Sequence, residues 1–205
     1  MSAEVKATDV KALRERTGAG MMDRKAALAE AGGDMEKAIE LLRVKGQASA
    51  AKRGARATSE GVVASYIHAT GKVGVLVEVG CETDFVARTD DFREFAREVA
   101  VHIAGAAPPP QYVSKDEIPD DAREAERRVL EQRAREDGKP DDIVDKIVGG
   151  QLAKWEAGIA LLDQEHINTD RYDGKTIEEL RTQIASKTGE NVTITRFARF
   201  QVGEE

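Results

Sequence analysis

The chain has 205 residues, enough for one or two domains with a hydrophobic core. Hydrophobic residues make up 40% and charged residues 34%, which excludes a largely disordered chain, and the net charge of −7 argues against a dedicated nucleic-acid binder, whose phosphate contacts need a basic surface. Aromatic residues are only 4%, so the core must consist mainly of Ala, Val, Ile and Leu, which suits helices around one sheet.

Residues 1–46 read as three short helices. Thr8 is placed to cap the first, whose Val10 and Leu13 share a face, and Gly18 to end it. The second runs from about Met22 to Ala31, with Met22, Ala26 and Ala29 spaced for one face, and Gly32-Gly33 breaks it. Asp34 then caps a third helix bearing Ala38, Ile39, Leu41 and Leu42, which is expected to stop at Gly46. Residues 47–59, QASAAKRGARATS, are rich in small residues and locally basic through Lys52, Arg53 and Arg56; they read as a linker with partial helical tendency, whose basic face is solvated or, in the other reading, contacts RNA.

The composition changes at Gly61. VVASYIH alternates as a strand does, a turn follows around Gly71, and Val73, Val75, Val77 and Val79 then share one face of a second strand. A helix is expected from about Asp91, with Phe92, Phe95, Ala96, Val99 and Ile103 at helical spacing and with Asp91 and Glu94 as its capping box. Residues 119–138 are densely charged, with a thin stripe of Ala122, Ala125 and Val129. Pro140 opens another helix, with Val144, Ile147, Val148, Leu152 and Trp155 on its stripe; the two make a charged helical hairpin. Thr176 and Glu179 cap a last helix carrying Ile177, Leu180 and Ile184, which Gly189 ends. NVTITRFARFQV closes the chain as a strand with Val192, Ile194, Ala198, Phe200 and Val202 on one face. Phe197 lies on the other, polar face, either as an exposed contact ring or covered by the hairpin. The expected fold is α+β: an N-terminal three-helix domain over 1–46, a linker over 47–59, and a core over 60–205 in which helices pack a small antiparallel sheet.

Searches for enzyme chemistry find no constellation. Gly174-Lys175-Thr176 resembles the end of a phosphate-binding loop, but the glycine required five residues earlier is Thr169. His68, His102 and His166 lie far apart, with no companion at metal-ligand spacing. Cys81, the single cysteine, continues the apolar face of Val77 and Val79 and reads as a buried structural thiol. No cofactor or metal is expected. The opening MSAEVKATDV has no apolar core of the kind a secretion signal needs, and no apolar run approaches the roughly 20 residues of a membrane span. A cytoplasmic protein that acts by contact is the expectation.

Two stretches are left unexplained by local rules. In TGAGMMD, residues 17–23, two methionines flank a glycine-rich turn; methionine suits both adaptable binding surfaces and small cores. Met22 is expected inside and Met21 at least partly outside. In GCETDFVART, residues 80–89, an acid and a ring sit side by side between strand and helix. Thr83 and Asp84 can cap a separate single turn with Phe85 tucked beneath it, or the turn can project both groups outward.

Together these stretches resemble the bacterial elongation factor Ts family. The family's T-G-A-G-M-M-D is present at Thr17–Asp23 and its T-D-F-V at Thr83–Val86. Its A-x-H-I-A segment matches Ala100–Ala104, its G-K-P turn Gly138–Pro140, and its closing G-E-N and strand Gly189–Val202. The resemblance implies that the N-terminal helices form a ubiquitin-associated-like domain. It implies a guanine-nucleotide exchange factor that binds the GTPase elongation factor Tu in its GDP-bound and nucleotide-free forms, disturbs the Mg²⁺ and phosphate site and lets GDP leave. Thr83, Asp84, Phe85 and Val86 would dislodge the Mg²⁺, with Phe85 as wedge and Asp84 making polar contacts. Arg14, Met21 and Met22 would grip the partner. His102 is a further contact candidate, with a satisfied core histidine as its other reading. Longer members repeat the core, whereas one unit fits here, so a homodimer is expected, with no direct nucleic-acid contact and no membrane. The competing reading is a ubiquitin-associated-like adaptor without exchange activity.

Overall fold

The computed structural model describes residues 6–17, 19–138 and 140–204, without the side chains of 14, 15, 47, 50, 51, 141 and 142. In chain order come α1 (Ala7–Thr17), α2 (Met21–Glu30), α3 (Met35–Arg53), β1 (Glu60–Ile67), β2 (Val73–Cys81), α4 (Asp84–Ala87), α5 (Asp90–Gly105), α6 (Asp120–Glu136), α7 (Asp141–Ile159), α8 (Thr169–Tyr172), α9 (Ile177–Thr188) and β3 (Thr193–Gln201). The three strands form one antiparallel sheet in the order β1-β2-β3, and the class is α+β. Among the described residues no helix is long and apolar enough to cross a membrane.

The chain packs as two compact units. The first takes the described residues through Tyr66, with Leu76–Ala100 and Glu178–Ala198; the second takes Ile67–Val75, Val101–Ile177 and the chain from Arg199. Within the first unit, α1, α2 and α3 enclose a small core of Leu13, Ala27, Leu28, Ala38 and Leu42. Asp34 caps α3 as expected, its Oδ1 accepting the Lys37 N–H at 3.1 Å. Val77, Val79 and Cys81 on β2 and Phe92, Phe95, Ala96 and Val99 on α5 are buried, as their periodicities require.

Several expectations are corrected here. Thr8 lies inside α1 rather than capping it. Gly18, named as the stop of that helix, lies outside the described residues. In α2 the buried face is Arg24, Ala27 and Leu28, whereas Met22, Ala26 and Ala29 face solvent. The cause is Arg24: its Nε donates to the Gly20 carbonyl at 3.2 Å and its Nη1 to the Val10 carbonyl at 3.4 Å. A guanidinium that satisfies backbone carbonyls can take a core-facing place and rotate the register. The third helix does not stop at Gly46 but runs to Arg53, through the first part of the expected linker. Gly46 packs close to α9, where a Cβ would sit 3.2 Å from Ser186 Oγ, and it lies inside the helix rather than stopping it. At α5 the cap is Thr89, whose Oγ1 accepts the Phe92 N–H at 3.4 Å, while Asp91 pairs with Lys187 at 2.6 Å. Val192, just before β3, and Ile194 within it are buried, but Ala198, Phe200 and Val202 on the same expected face are exposed, and Phe197 is half-buried.

In the second unit α6 and α7 form the expected hairpin, with Leu130, Ala134, Val144, Val148 and Leu152 buried along it and Trp155 packed against them. The stripe on α6 differs from the expected one: Ala125 and Val129 are exposed. Arg123 occupies the inner side instead, donating to Glu156 Oε1 at 2.8 Å and to the Ile118 carbonyl at 2.6 Å. His102 and His166 are both buried here, with ring centroids 5.5 Å apart. The Ile167 N–H donates to His102 Nδ1 at 3.2 Å, so the ring's proton sits on Nε2 and is donated to Gln164 Oε1 at 2.9 Å. Burial pushes the His102 pKa down to about 4, against the Gln164 hydrogen bond and with His166 adding to the fall. An unfolded chain takes up this proton near pH 6.5, well before the folded one does. Stability from this group is therefore complete above about pH 6.5 and declines as pH drops toward 4, at up to about 1.4 kcal/mol per unit. Urea titrations between pH 7 and 5 should show this slope, and His102→Gln should flatten it; an equal slope in the variant would remove the ring as its source.

Candidate functional site

The projecting turn lies wholly in the first unit, where β2 ends. Gly80 is pressed between two hydroxyls: a Cβ there would come within 2.7 Å of Thr193 Oγ1 and 2.9 Å of Thr58 Oγ1. Only glycine lets the strand pass so close before it turns. Cys81 is fully buried, and its Sγ donates to the Thr83 carbonyl at 3.2 Å. Thr83 then caps the single turn α4, its Oγ1 accepting the Val86 N–H at 3.4 Å. Thr89 closes the turn's other end, donating its hydroxyl to the Val86 carbonyl at 2.8 Å. Two caps in seven residues thus define one helical turn between strand and helix.

The turn sorts its side chains by position. Val86 and Ala87 are buried beneath it, and Phe85 stands out with 82% of its surface exposed. An aromatic ring this open forfeits the burial worth roughly 1.5–3 kcal/mol that a core position would provide. Asp84 is half-buried and pairs with Arg88 at 2.9 Å, one helical turn on. Such a pair near the surface stabilises little and leaves the carboxylate able to exchange partners. Of the two arrangements open to Thr83 and Asp84, a separate turn does form, but the ring points outward.

What holds this turn comes from more than 100 residues away. Glu190 Oε2 accepts the N–H groups of both Glu82 and Thr83, each at 3.0 Å, and its Oε1 accepts the Thr83 hydroxyl at 2.6 Å. Glu82 returns the link, its Oε1 accepting the Asn191 N–H at 2.6 Å. That backbone hydrogen bond, with Arg56 nearby, holds the Glu82 carboxyl below its usual range. The Asn191 side chain donates to the Arg56 carbonyl at 2.8 Å. Glu190 and Asn191 belong to the G-E-N segment that carries the family resemblance, but an acid and an amide between a helix and a strand read as ordinary turn residues, and nothing in their spacing points to the turn at Thr83.

The other expected contacts fall as follows. Met21 and Met22 begin α2 with 70% and 75% of their surfaces exposed, so Met22 is not the inside residue that was expected. The side chain of Arg14 lies outside the described residues. His102 sits in the second unit, 1% exposed with both ring nitrogens engaged, and cannot offer a surface contact.

Burial raises the Cys81 thiol pKa, and the negative charge of Glu190 raises it further. The native protein should therefore alkylate at pH 8 at least about tenfold more slowly than the unfolded chain. Equal rates would mean that the strand end opens readily.

A family model described as Elongation factor TS matches residues 3–204. The chain is 52% identical over 195 residues to an elongation factor Ts of Carboxydothermus hydrogenoformans, covering 95% of this chain and 88% of that protein. It is 50% identical over 200 residues to one of Caldanaerobacter subterraneus subsp. tengcongensis, with 98% of each covered. Against one of Geobacter metallireducens the identity is 49% over 200 residues, with 98% and 90% covered.

Proposed function

We propose a function from one premise: this chain belongs to the elongation factor Ts family and is a translation elongation factor. It acts as the guanine-nucleotide exchange factor of elongation factor Tu, binding the GDP form, loosening its Mg²⁺ and phosphate site and releasing GDP so that GTP can enter. The observation that carries this reading is the exposed Phe85 on a turn capped at both ends and anchored by Glu190. An exchange factor needs no covalent chemistry. It must bind the nucleotide-free partner better than the GDP-bound one, and whatever factor it takes from GDP affinity, GDP takes from its own.

In this reading Phe85 enters an apolar slot of the partner, and Asp84 trades its surface pair with Arg88 for polar contacts near the Mg²⁺. Thr83 and Val86 hold the turn. Met21, Met22 and Arg14 grip the partner separately, and the exposure of the two methionines supports that role. His102 is left out of the contact set. Residues 1–46 serve as the ubiquitin-associated-like recognition part, 47–59 as the joint, and 60–205 as the exchange and pairing part. The protein works in the cytoplasm without direct nucleic-acid contact.

The homodimer is part of the same proposal. In the second unit Ile67, Phe200 and Val202 are 66–72% exposed, which supports a covered apolar surface in solution. Light scattering at micromolar concentration should give twice the 22.3 kDa chain mass; a monomer mass would refute the pairing.

Release of labelled GDP from elongation factor Tu tests the central role. The wild type should accelerate release, and Phe85→Ala should lower the saturating rate by about tenfold or more while changing stability by less than about 0.5 kcal/mol, since the ring touches little of its own chain. Met21→Ala should raise the half-saturating concentration and spare the saturating rate. Tight binding with no acceleration by the wild type would instead identify an adaptor. Early melting of Phe85→Ala would assign the ring to the core.

A further inference from the structure

We propose that Glu190 is a positioning residue for exchange, acting through Thr83 to fix the direction in which Phe85 projects. The inference rests on the reading of Phe85 as the exchange element.

The backbone N–H groups of Glu82 and Thr83 fall in the gap between β2 and α4, where neither a strand ladder nor a helix can accept them. One carboxylate oxygen of Glu190 takes both, and the other takes the Thr83 hydroxyl, leaving that hydroxyl's lone pair for the Val86 N–H. Hydrogen bonds to an ionised acceptor are shorter and stronger than neutral ones, and the 2.6 Å contact fits that class. Thr83 therefore cannot rotate to another rotamer without giving up both its cap and its anchor. Phe85 is two residues on, in the one turn this cap defines.

A second link makes the arrangement directional. Glu82 accepts the Asn191 N–H, so the two segments are bonded in both senses. Asn191 also donates to the Arg56 carbonyl, which ties in the chain after α3. A wedge acts only if its base does not yield when the ring meets resistance, and a base ordered before docking loses no freedom on docking. A carboxylate more than 100 positions distant thus becomes part of the exchange machinery although it lies behind the ring and need never touch the partner.

The test is GDP release from elongation factor Tu with wild type, Phe85→Ala, Glu190→Ala and the double variant. Glu190→Ala should lower the saturating rate about tenfold and shift the half-saturating concentration by less than about threefold, because the ring is displaced while the methionine contacts remain. In the Phe85→Ala background the same change should have no further effect on rate, since there is no ring left to position. A stabilising role alone would leave rates at saturation intact, or would subtract equally in both backgrounds; either result overturns the proposal. Where Glu190→Ala melts below the assay temperature, Thr83→Val takes its place. It removes both the bond to Glu190 and the cap on Val86 while leaving the two amides anchored, and, since Glu190 acts through this hydroxyl, it should show the same split and the same loss of effect without the ring. A normal rate for Phe85→Ala would instead defeat the exchange reading and this inference with it. A slow Phe85→Ala beside a normal Glu190→Ala would defeat this inference alone.

Discussion

Two carboxylates that each accept a backbone N–H from the other's segment are the constraint on which the projecting turn depends. Glu82 and Glu190 bind the end of β2 to the start of β3 in both directions. Strand pairing stops short of this point, and α4 is too short to be stable alone, because a single turn orders several residues for very few hydrogen bonds. The cross-links make up that deficit. They let the chain expose an aromatic ring at the tip of an element that would otherwise collapse onto the core or fray.

This arrangement suits a protein that works by contact. Phe85 and the methionines of α2 are large apolar side chains left open to solvent, and each stands on a well-anchored base. Beneath Phe85 the base is the capped turn; beneath Met21 and Met22 it is the small helical core around Leu13 and Leu28. Two groups of reactive type, Cys81 and His102, have structural hydrogen bonds. Cys81 is sealed and bonded to the Thr83 carbonyl, and His102 is held neutral between Gln164 and the Ile167 amide.

Much of the fold was legible in the sequence, and the errors have distinct physical causes. Val75–Val77–Val79 and Phe92–Phe95–Val99 were readable because one periodicity and one apolar face decide each element. The helical hairpin and the break at Gly32-Gly33 were readable for similar reasons. The misread faces of α2 and α6 both contain an arginine whose guanidinium bonds backbone carbonyls, which a hydrophobic count scores as surface. Gly46 looked like a stop because its packing partner, Ser186, is 140 positions away. The exposed half of β3 misled because alternation shows which residues share a face and not whether anything covers it. In the candidate site, Thr83–Val86 was visible as a motif, but its support by Glu190 was not, since only the tertiary pairing brings the two segments together.

The most direct measurement of the central claim is amide hydrogen exchange of the free protein at Glu82, Thr83 and Val86. With the carboxylate cross-links in place, these three amides should be protected to the same degree as the interior of β2, and Phe85 should sit among them as an exposed ring on a slow-exchanging turn. Exchange at Glu82 and Thr83 as fast as in an unstructured loop would contradict the claim, because the ring would then have no fixed base.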